Sequence, residues 1–347
     1  MSAESALPST CLGRTSVRVT RQGFGSAALG NLYAEVDDAT ACATVEAALE
    51  CGVRYFDTAP FYGYGLAEQR LGDALFSADS PDPIVSSKVG RLLVPRAGEA
   101  RNDQGFVRAL PNDPVFDYSY DGVMRSVEAS RTRLSRARID ILLLHDVGAR
   151  THGDRHAELF DIAMSGGYAA LDELRRSGDV GAIGLGVNEC TVCVEAMQRG
   201  DFDCFLLAGR YTLLEQTALD RMLPECERRA VSVIVGGPYN SGILVEGPRP
   251  AAHYDYGAAD PVVVDRARAI AAICGAHDVP LPAAALQFPL LHPAVATVIP
   301  GARSPQEVRD NAGWMGRAIP DALWSDLADA GLIDARAPLG RAQQASP

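Results

Sequence analysis

Four side chains in this sequence have the types and order of a proton-transfer site: Asp57, Tyr62, Lys88 and His145. A phenol titrates near about 10, so Tyr62 can exchange a proton with a hydroxyl or carbonyl oxygen only where nearby charge stabilises its phenolate. Lys88 supplies such a charge, and it is the only lysine among 32 lysine and arginine residues. An ammonium can take part in proton-linked chemistry that a guanidinium cannot. Asp57 would hold that ammonium in place, and His145 would orient the reacting oxygen or relay its proton. Each residue alone has an ordinary structural reading, as a cap, loop packing or a rim histidine. Together they form a site that moves protons but has no hydride of its own, so it implies a cofactor.

A scaffold must bring these distant positions to one place. Asp37 and Asp38 are helix-start signals, and Ala41, Val45, Ala48 and Leu49 recur at helical spacing until Gly52 closes the helix. Strands are expected at 53–59, 83–89, 139–146, 180–188, 203–209, 231–238 and 295–301. Helices are expected at 66–76, 122–134, 167–178, 191–200, 213–230, 261–277 and 304–316, the last opened by Ser304 with Pro305 at its first position. About eight strand–helix units with short, apolar strands predict an α/β fold, a closed (β/α)8 TIM barrel, rather than two doubly wound domains. No linker divides the chain, so residues 1–347 are expected to form a single domain. The irregular stretch at about 92–120 is too long for a tight connection and is expected to cover the substrate, with Phe106, Phe116, Tyr118 and Tyr120 available to stack on it. Residues from about 335 to 347 read as a loose tail. In a barrel of this kind chemistry sits at the C-terminal ends of the strands, which is where Asp57, Lys88 and His145 fall.

Composition excludes several other classes. The chain has 347 residues, a formal net charge of −12 and no basic stretch, which argues against nucleic-acid and anionic-membrane partners. No apolar run approaches the roughly 18 residues of a membrane helix, and the start lacks the apolar core of a signal peptide, so a cytoplasmic protein is expected. The eight cysteines are scattered, and Cys190 and Cys193 form the only close pair. No further pair completes a zinc set, so idle thiols and no metal are expected. Gly23-x-Gly25-x-x-Ala28 has the outline of a dinucleotide fingerprint but lacks the strand–turn–helix context. No Walker A sequence is present.

The segments GFGSAALG, DTAPFYGYGLAE, SSKVG, LLLHD, IGLGVNE and VIPGARSPQEVRDN, taken in this order, resemble the aldo-keto reductase superfamily over about residues 12–315. The resemblance implies a monomeric or loosely associated barrel that binds an extended nicotinamide cofactor across its strand ends. It implies that Asp57, Tyr62, Lys88 and His145 form a catalytic tetrad with Tyr62 as general acid/base. It also assigns cofactor contacts to Gly25, Ser26 and Ala27, to Asn188, to Gly236, Gly237, Pro238, Tyr239, Asn240, Ser241, Gly242 and Leu244, and to Pro300, Gly301, Ala302, Arg303, Glu307 and Asn311. The chain departs from the family pattern where Asn188-Glu189 replaces Ser-Asn, Ala208 replaces a glutamine and Gly236 replaces a stacking aromatic.

Glu307 stands where NADP-preferring relatives carry an arginine for the 2′-phosphate. A carboxylate repels that phosphate and can accept from a ribose 2′-hydroxyl, so NAD is the expected cofactor, with NADP the alternative. The motifs are similar to the aldose 1-dehydrogenase branch, whose enzymes oxidise the hemiacetal carbon of a sugar such as L-fucose or a D-threo-aldose to a lactone. A relative of that branch acts on pyridoxal, itself a cyclic hemiacetal, to give 4-pyridoxolactone. NADPH-dependent aldehyde or ketone reduction is a further reading in the same fold, and a cofactor-sensing channel subunit is the reading outside enzymes. A sugar or pyridoxal-like small molecule is therefore the expected partner.

Overall fold

A computed structural model describes residues 7–77, 83–247, 249, 252–255 and 257–339. Eight parallel strands run in sequence order: β1 (Phe24–Gly25), β2 (Tyr55–Asp57), β3 (Ile84–Val89), β4 (Ile141–His145), β5 (Ala182–Val187), β6 (Cys204–Ala208), β7 (Ser232–Gly236) and β8 (Val295–Ile299). The ends of this sheet meet through parallel bridges Gln22–Val298 and Gly25–Gly301. The Gly23 and Gly25 N–H groups donate to the Val298 and Pro300 carbonyls at 2.9 and 3.0 Å. The sheet is thus closed into the expected α/β barrel, wrapped by helices. The first helix, Asp38–Glu50, is capped by Asp37, whose side chain accepts from the Thr40 N–H. Ser304 likewise caps Pro305–Met315 by accepting from the Glu307 N–H.

The N-terminal end of the barrel is plugged by a feature that strand periodicity missed, a hairpin of Ser9–Cys11 and Arg18–Thr20. Its Leu12, Val17 and Val19 pack onto Tyr55, Ile141, Leu143 and Ile234 inside the barrel. Gly13 at its tip has φ +53°, and a Cβ there would lie 2.5 Å from the Asp203 carbonyl oxygen, so only glycine lets the hairpin seat. With that end closed, a substrate can enter only at the C-terminal ends of the strands.

Several expectations for the connections are corrected. The stretch at 92–120 is not irregular: Arg91–Pro95 pairs with Asn112–Phe116, and Arg101–Asp103 pairs with Phe106–Ala109, in antiparallel hairpins. These runs are too short for a period-two pattern to stand out against their turns. The next helix is Tyr120–Arg133, because Ser119 caps it by accepting from the Gly122 N–H; Tyr120 therefore belongs to the helix, and its hydroxyl donates to Glu173 at the surface. Residues 213–216 are a turn rather than helix, since the Thr212 hydroxyl captures the N–H groups of Leu214 and Glu215. Helices Ala149–His152, His156–Ile162, Leu281–Gln287 and Asp321–Asp329 were not anticipated. Of the expected loose tail, residues 340–347 lie outside the described residues.

Among the described residues all eight cysteines are free thiols and no group of three or more side chains could hold a metal. No single helix among them is long and apolar enough to cross a membrane; Pro261–Ala276 and Leu281–Leu291 pass that test only jointly, across a 102° bend.

Alternation along β3 sends Ser86 and Lys88 into the barrel and Ser87 toward the helices. The Ser87 hydroxyl donates to Glu68 at 2.7 Å, and Glu68, wholly buried on helix Leu66–Ser77, also accepts from Arg133 Nε at 2.6 Å. This carboxylate joins β3 to two helices beside Lys88. Glu68→Ala leaves the Arg133 charge without its partner and is expected to destabilise the fold by about 3–5 kcal/mol, read from the urea midpoint.

Candidate active site

Asp57 and Lys88 end adjacent strands inside the barrel and are each 1% exposed. Lys88 Nζ donates to Asp57 Oδ2 at 2.7 Å and to the Thr58 carbonyl at 2.9 Å. The other carboxylate oxygen of Asp57 accepts from the Ser86 hydroxyl at 2.7 Å, and the Tyr55 hydroxyl meets Ser86 Oγ at 3.0 Å. Burial works against the Lys88 ammonium, but Asp57 and Tyr62 together outweigh it, so Lys88 keeps its proton more tightly than a free lysine. Burial pushes Asp57 upward, with Lys88 and Ser86 opposing it, and the 2.7 Å contact keeps the pair ionised.

Tyr62 opens the turn Tyr62–Gly65 after β2, with its ring centroid 4.7 Å from Lys88 Nζ. The turn rests on backbone after β1: a Cβ on Gly30 would lie 2.6 Å from the Tyr62 carbonyl carbon, so glycine there permits the approach. The Tyr62 phenol is raised above its ordinary value because burial outweighs the opposing charge of Lys88. Lys88 pulls toward phenolate as expected, and the larger effect of burial was not part of that expectation. The protein by itself holds a protonated phenol, with Lys88 limiting the rise.

His145, at the end of β4, has its ring centroid 6.3 Å from that of Tyr62 in an edge-on arrangement. Burial first, then the charges of Arg91 and Lys88, hold it well below the usual histidine value, so its imidazole is neutral. The Tyr118 hydroxyl donates to the His145 carbonyl at 2.7 Å and fixes the strand end. Of the four aromatics expected to stack on a ligand, Phe106 stands near Tyr62, with centroids 6.4 Å apart. Tyr118 is buried as this backbone anchor, while Phe116 packs on Tyr118 and His152.

Asp57 and Tyr62 form one wall of an inner cavity of about 220 Å³, also lined by the expected Gly25, Ala27, Asn188, Gly236, Gly237, Asn240, Ser241 and Gly301. It adjoins an outer cavity of about 1070 Å³ lined by Gly237, Pro238, Tyr239, Ser241, Gly242, Gly301, Ala302, Arg303, Glu307 and Asn311. Ala28, Leu32 and Tyr33 border both. Three expected contacts border neither cavity. Ser26 and Leu244 are wholly buried, and Pro300 spends its carbonyl closing the barrel against Gly25. Between the cavities Gly237, Asn240, Ser241 and Gly242 all have positive φ, and Asn240 Oδ1 is buried without a partner. Glu189 does not reach the cavity; it accepts from the Arg150 N–H at 3.1 Å.

Sequence reasoning missed Ser86, Arg91, Asp146, Arg210 and Asp255 around this site. Asp146 and Ser86 stand beside motif residues and could have been read from them. Arg210, which donates to the Asn188 carbonyl at 2.7 Å and to Asp255 at 2.8 Å, carries no local signal.

The placement of Tyr62 has a direct spectroscopic consequence. In a tyrosinate difference titration of wild type against Tyr62→Phe, one phenol should titrate above about 10. In the Lys88→Met protein that titration should move further up. A Tyr62 phenol that titrates below the ordinary value would contradict this environment.

Residues 22–330 match the model of the Aldo/keto reductase family. The chain is 44% identical to "Pyridoxal 4-dehydrogenase" of Microbacterium luteolum, over 93% of this chain and 97% of that protein. It is 40% identical to "D-threo-aldose 1-dehydrogenase" of a Pseudomonas species, over 90% and 94%. It is 30% identical to "L-galactose dehydrogenase" of Arabidopsis thaliana, over 86% and 85%. Among solved structures, the aldo-keto reductase AKR11C1 from Bacillus halodurans superposes with a TM-score of 0.70 at 24% identity, over 97% of this chain and 99% of that one. That likeness bears on the fold.

Proposed function

This chain belongs to the aldo/keto reductase family, and on that footing we propose that it oxidises the ring hemiacetal carbon of a small substrate to a lactone, with Tyr62 as general base. The observation that carries this reading is the buried Asp57–Lys88 pair against Tyr62, at the wall of a cavity that continues into a second, larger one. The residues present fit a nicotinamide dinucleotide. The left-handed residues Gly237, Asn240, Ser241 and Gly242 and the partnerless Asn240 oxygen make a polar cradle between the cavities. Asn188 borders the inner cavity, while Tyr239, Asn311 and Trp314 border the outer one. When bound, the nicotinamide ring supplies the acceptor for the hydride that leaves the substrate carbon.

The chain's own residues handle the proton. The Tyr62 phenolate takes it from the anomeric hydroxyl, and Lys88 lowers the cost of that phenolate in a buried site. Neutral His145 hydrogen-bonds the same oxygen without competing for charge. Because burial raises the phenol, the phenolate fraction grows with pH, so oxidation is favoured on the alkaline side. The aldose reading rests on the 40% identical relative, the pyridoxal reading on the 44% identical one. Phe106, close to Tyr62, offers a face to a pyridine ring or to the apolar face of a sugar. The same four residues run in reverse would serve reduction of an aldehyde or ketone.

NAD is the cofactor this reading favours. Glu307 stands in the first turn of helix Pro305–Met315, at the wall of the outer cavity, and one of its oxygens accepts from the Arg303 N–H at 2.8 Å. The bond fixes a carboxylate at the cavity wall, which supports NAD because a 2′-phosphate bound beside it would meet like charge, although Arg303 borders the same cavity. The protein works in the cytoplasm as a monomer or weak homo-oligomer, with no nucleic-acid or membrane partner, in keeping with eight free thiols and a net charge of −12.

Nicotinamide reduction with L-fucose, D-arabinose, L- and D-galactose and pyridoxal tests the reading. Turnover on a sugar selects the aldose activity, turnover on pyridoxal alone selects the second, and silence on all overturns both. Tyr62→Phe should lower kcat by about 10²–10⁴-fold with cofactor affinity retained. kcat/KM should be higher with NAD than NADP, and Glu307→Gln should narrow that ratio by about tenfold, roughly 1.4 kcal/mol.

A further inference from the structure

Asp146 follows His145 where β4 ends, in a left-handed conformation (φ +50°) that side chains other than glycine adopt at a cost. Its carboxylate lies between two parts of the site. Oδ1 accepts from Asn188 Nδ2 at 3.2 Å. Oδ2 accepts from the Arg91 guanidinium and stands 3.5 Å from His145 Nε2. Arg91 is itself held between two rings, 4.0 Å from the Phe61 centroid and 4.6 Å from that of Phe116. Both members of the ion pair are nearly closed to solvent, with side chains 8% and 12% exposed.

We propose that Asp146, fixed by Arg91, is a positioning residue that sets Asn188 and His145 together, so that cofactor binding and proton handling depend on one carboxylate. The inference rests on the reading of this cavity as a nicotinamide site. Two physical effects lead to it. An asparagine whose nitrogen is held by a carboxylate keeps its amide plane and its oxygen in one orientation. An imidazole beside a carboxylate keeps its proton on the nitrogen facing that anion, because a lone pair there would be repelled. For His145 that places the proton on Nε2 and leaves Nδ1, buried without a partner, as an acceptor. A surface ion pair of this kind would do little, but a buried one held by rings on both sides defines a direction. The local strain at Asp146 fits a residue placed for the site rather than for the strand.

Asp146→Asn keeps the shape and removes the charge. NADH affinity is read by quenching of intrinsic fluorescence, to which Trp314 at the outer cavity contributes, and turnover is read on the substrate found active. The expected result is a Kd for NADH raised about tenfold and a kcat lowered about tenfold, with the melting temperature kept. Asn188→Ala added to Asp146→Asn should raise Kd little further, because the two act through one contact. Unchanged Kd, or effects of the two substitutions that multiply independently, would overturn the proposal. If Asp146→Asn fails to fold, Arg91→Met is read in the same way, and failure of both makes the pair structural and also overturns it. The NADH arm needs no turnover, so it stands if the hemiacetal reading fails. Wild-type protein that binds no NADH would sink both.

Discussion

An ammonium and a carboxylate, both closed to water, set the terms for the rest of this site. Isolated charges in a barrel interior would cost several kcal/mol each, so Lys88 and Asp57 must be paired and their remaining hydrogen-bonding capacity filled. Strand geometry makes that possible. Asp57 and Lys88 end neighbouring parallel strands, and Ser86, two residues before Lys88 on the same face, reaches the second oxygen of Asp57. The Thr58 carbonyl takes another ammonium hydrogen. A positive charge is thereby held against the Tyr62 ring without solvent to screen it. Water would have weakened the effect on the phenol many-fold.

Around this rigid floor the chain divides its tasks by position. Strand ends carry Asp57, Lys88 and His145, where the barrel's hydrogen bonds leave little freedom. The excursions after β3 and β7 supply walls: the paired hairpins bring Phe106 toward Tyr62, and the loop from Gly237 to Gly242, left-handed at four residues, curves between the two cavities. Arginine serves the fixed, non-titrating roles. Arg91 stacks between rings and pairs with Asp146, Arg133 meets the buried Glu68, and Arg210 joins the Asn188 backbone to Asp255. A planar guanidinium suits bidentate and stacked contacts, while the single lysine is the cation set against the Tyr62 ring.

Burial and charge act in opposite directions on Tyr62, and only their balance is informative. A neighbouring lysine suggests a lowered phenol when residues are read in isolation. In the folded chain the loss of water is the larger effect, so the resting group is a phenol and Lys88 limits the rise. His145 shows the same logic with both influences aligned: burial and two nearby cations all disfavour imidazolium. The pair is thus a protonated phenol with a neutral imidazole beside it.

What the sequence determined by itself is what depends on local pattern. The apolar period and strand–helix alternation specify a parallel barrel, because strands buried on both faces have few other arrangements. The caps at Asp37 and Ser304, the four motif residues and most of the cavity-lining glycines could be read for the same reason: each is a short-range signal. What required tertiary structure was everything set by contacts between distant segments. The N-terminal plug, the hairpins between β3 and β4 and the burial of Ser26 and Leu244 are such contacts, and the Arg91–Asp146–Asn188 chain depends on three connections meeting at the C-terminal end of a closed sheet. The sign of the Tyr62 shift depends on the same closure, because desolvation is a property of the packed site and not of any residue in it.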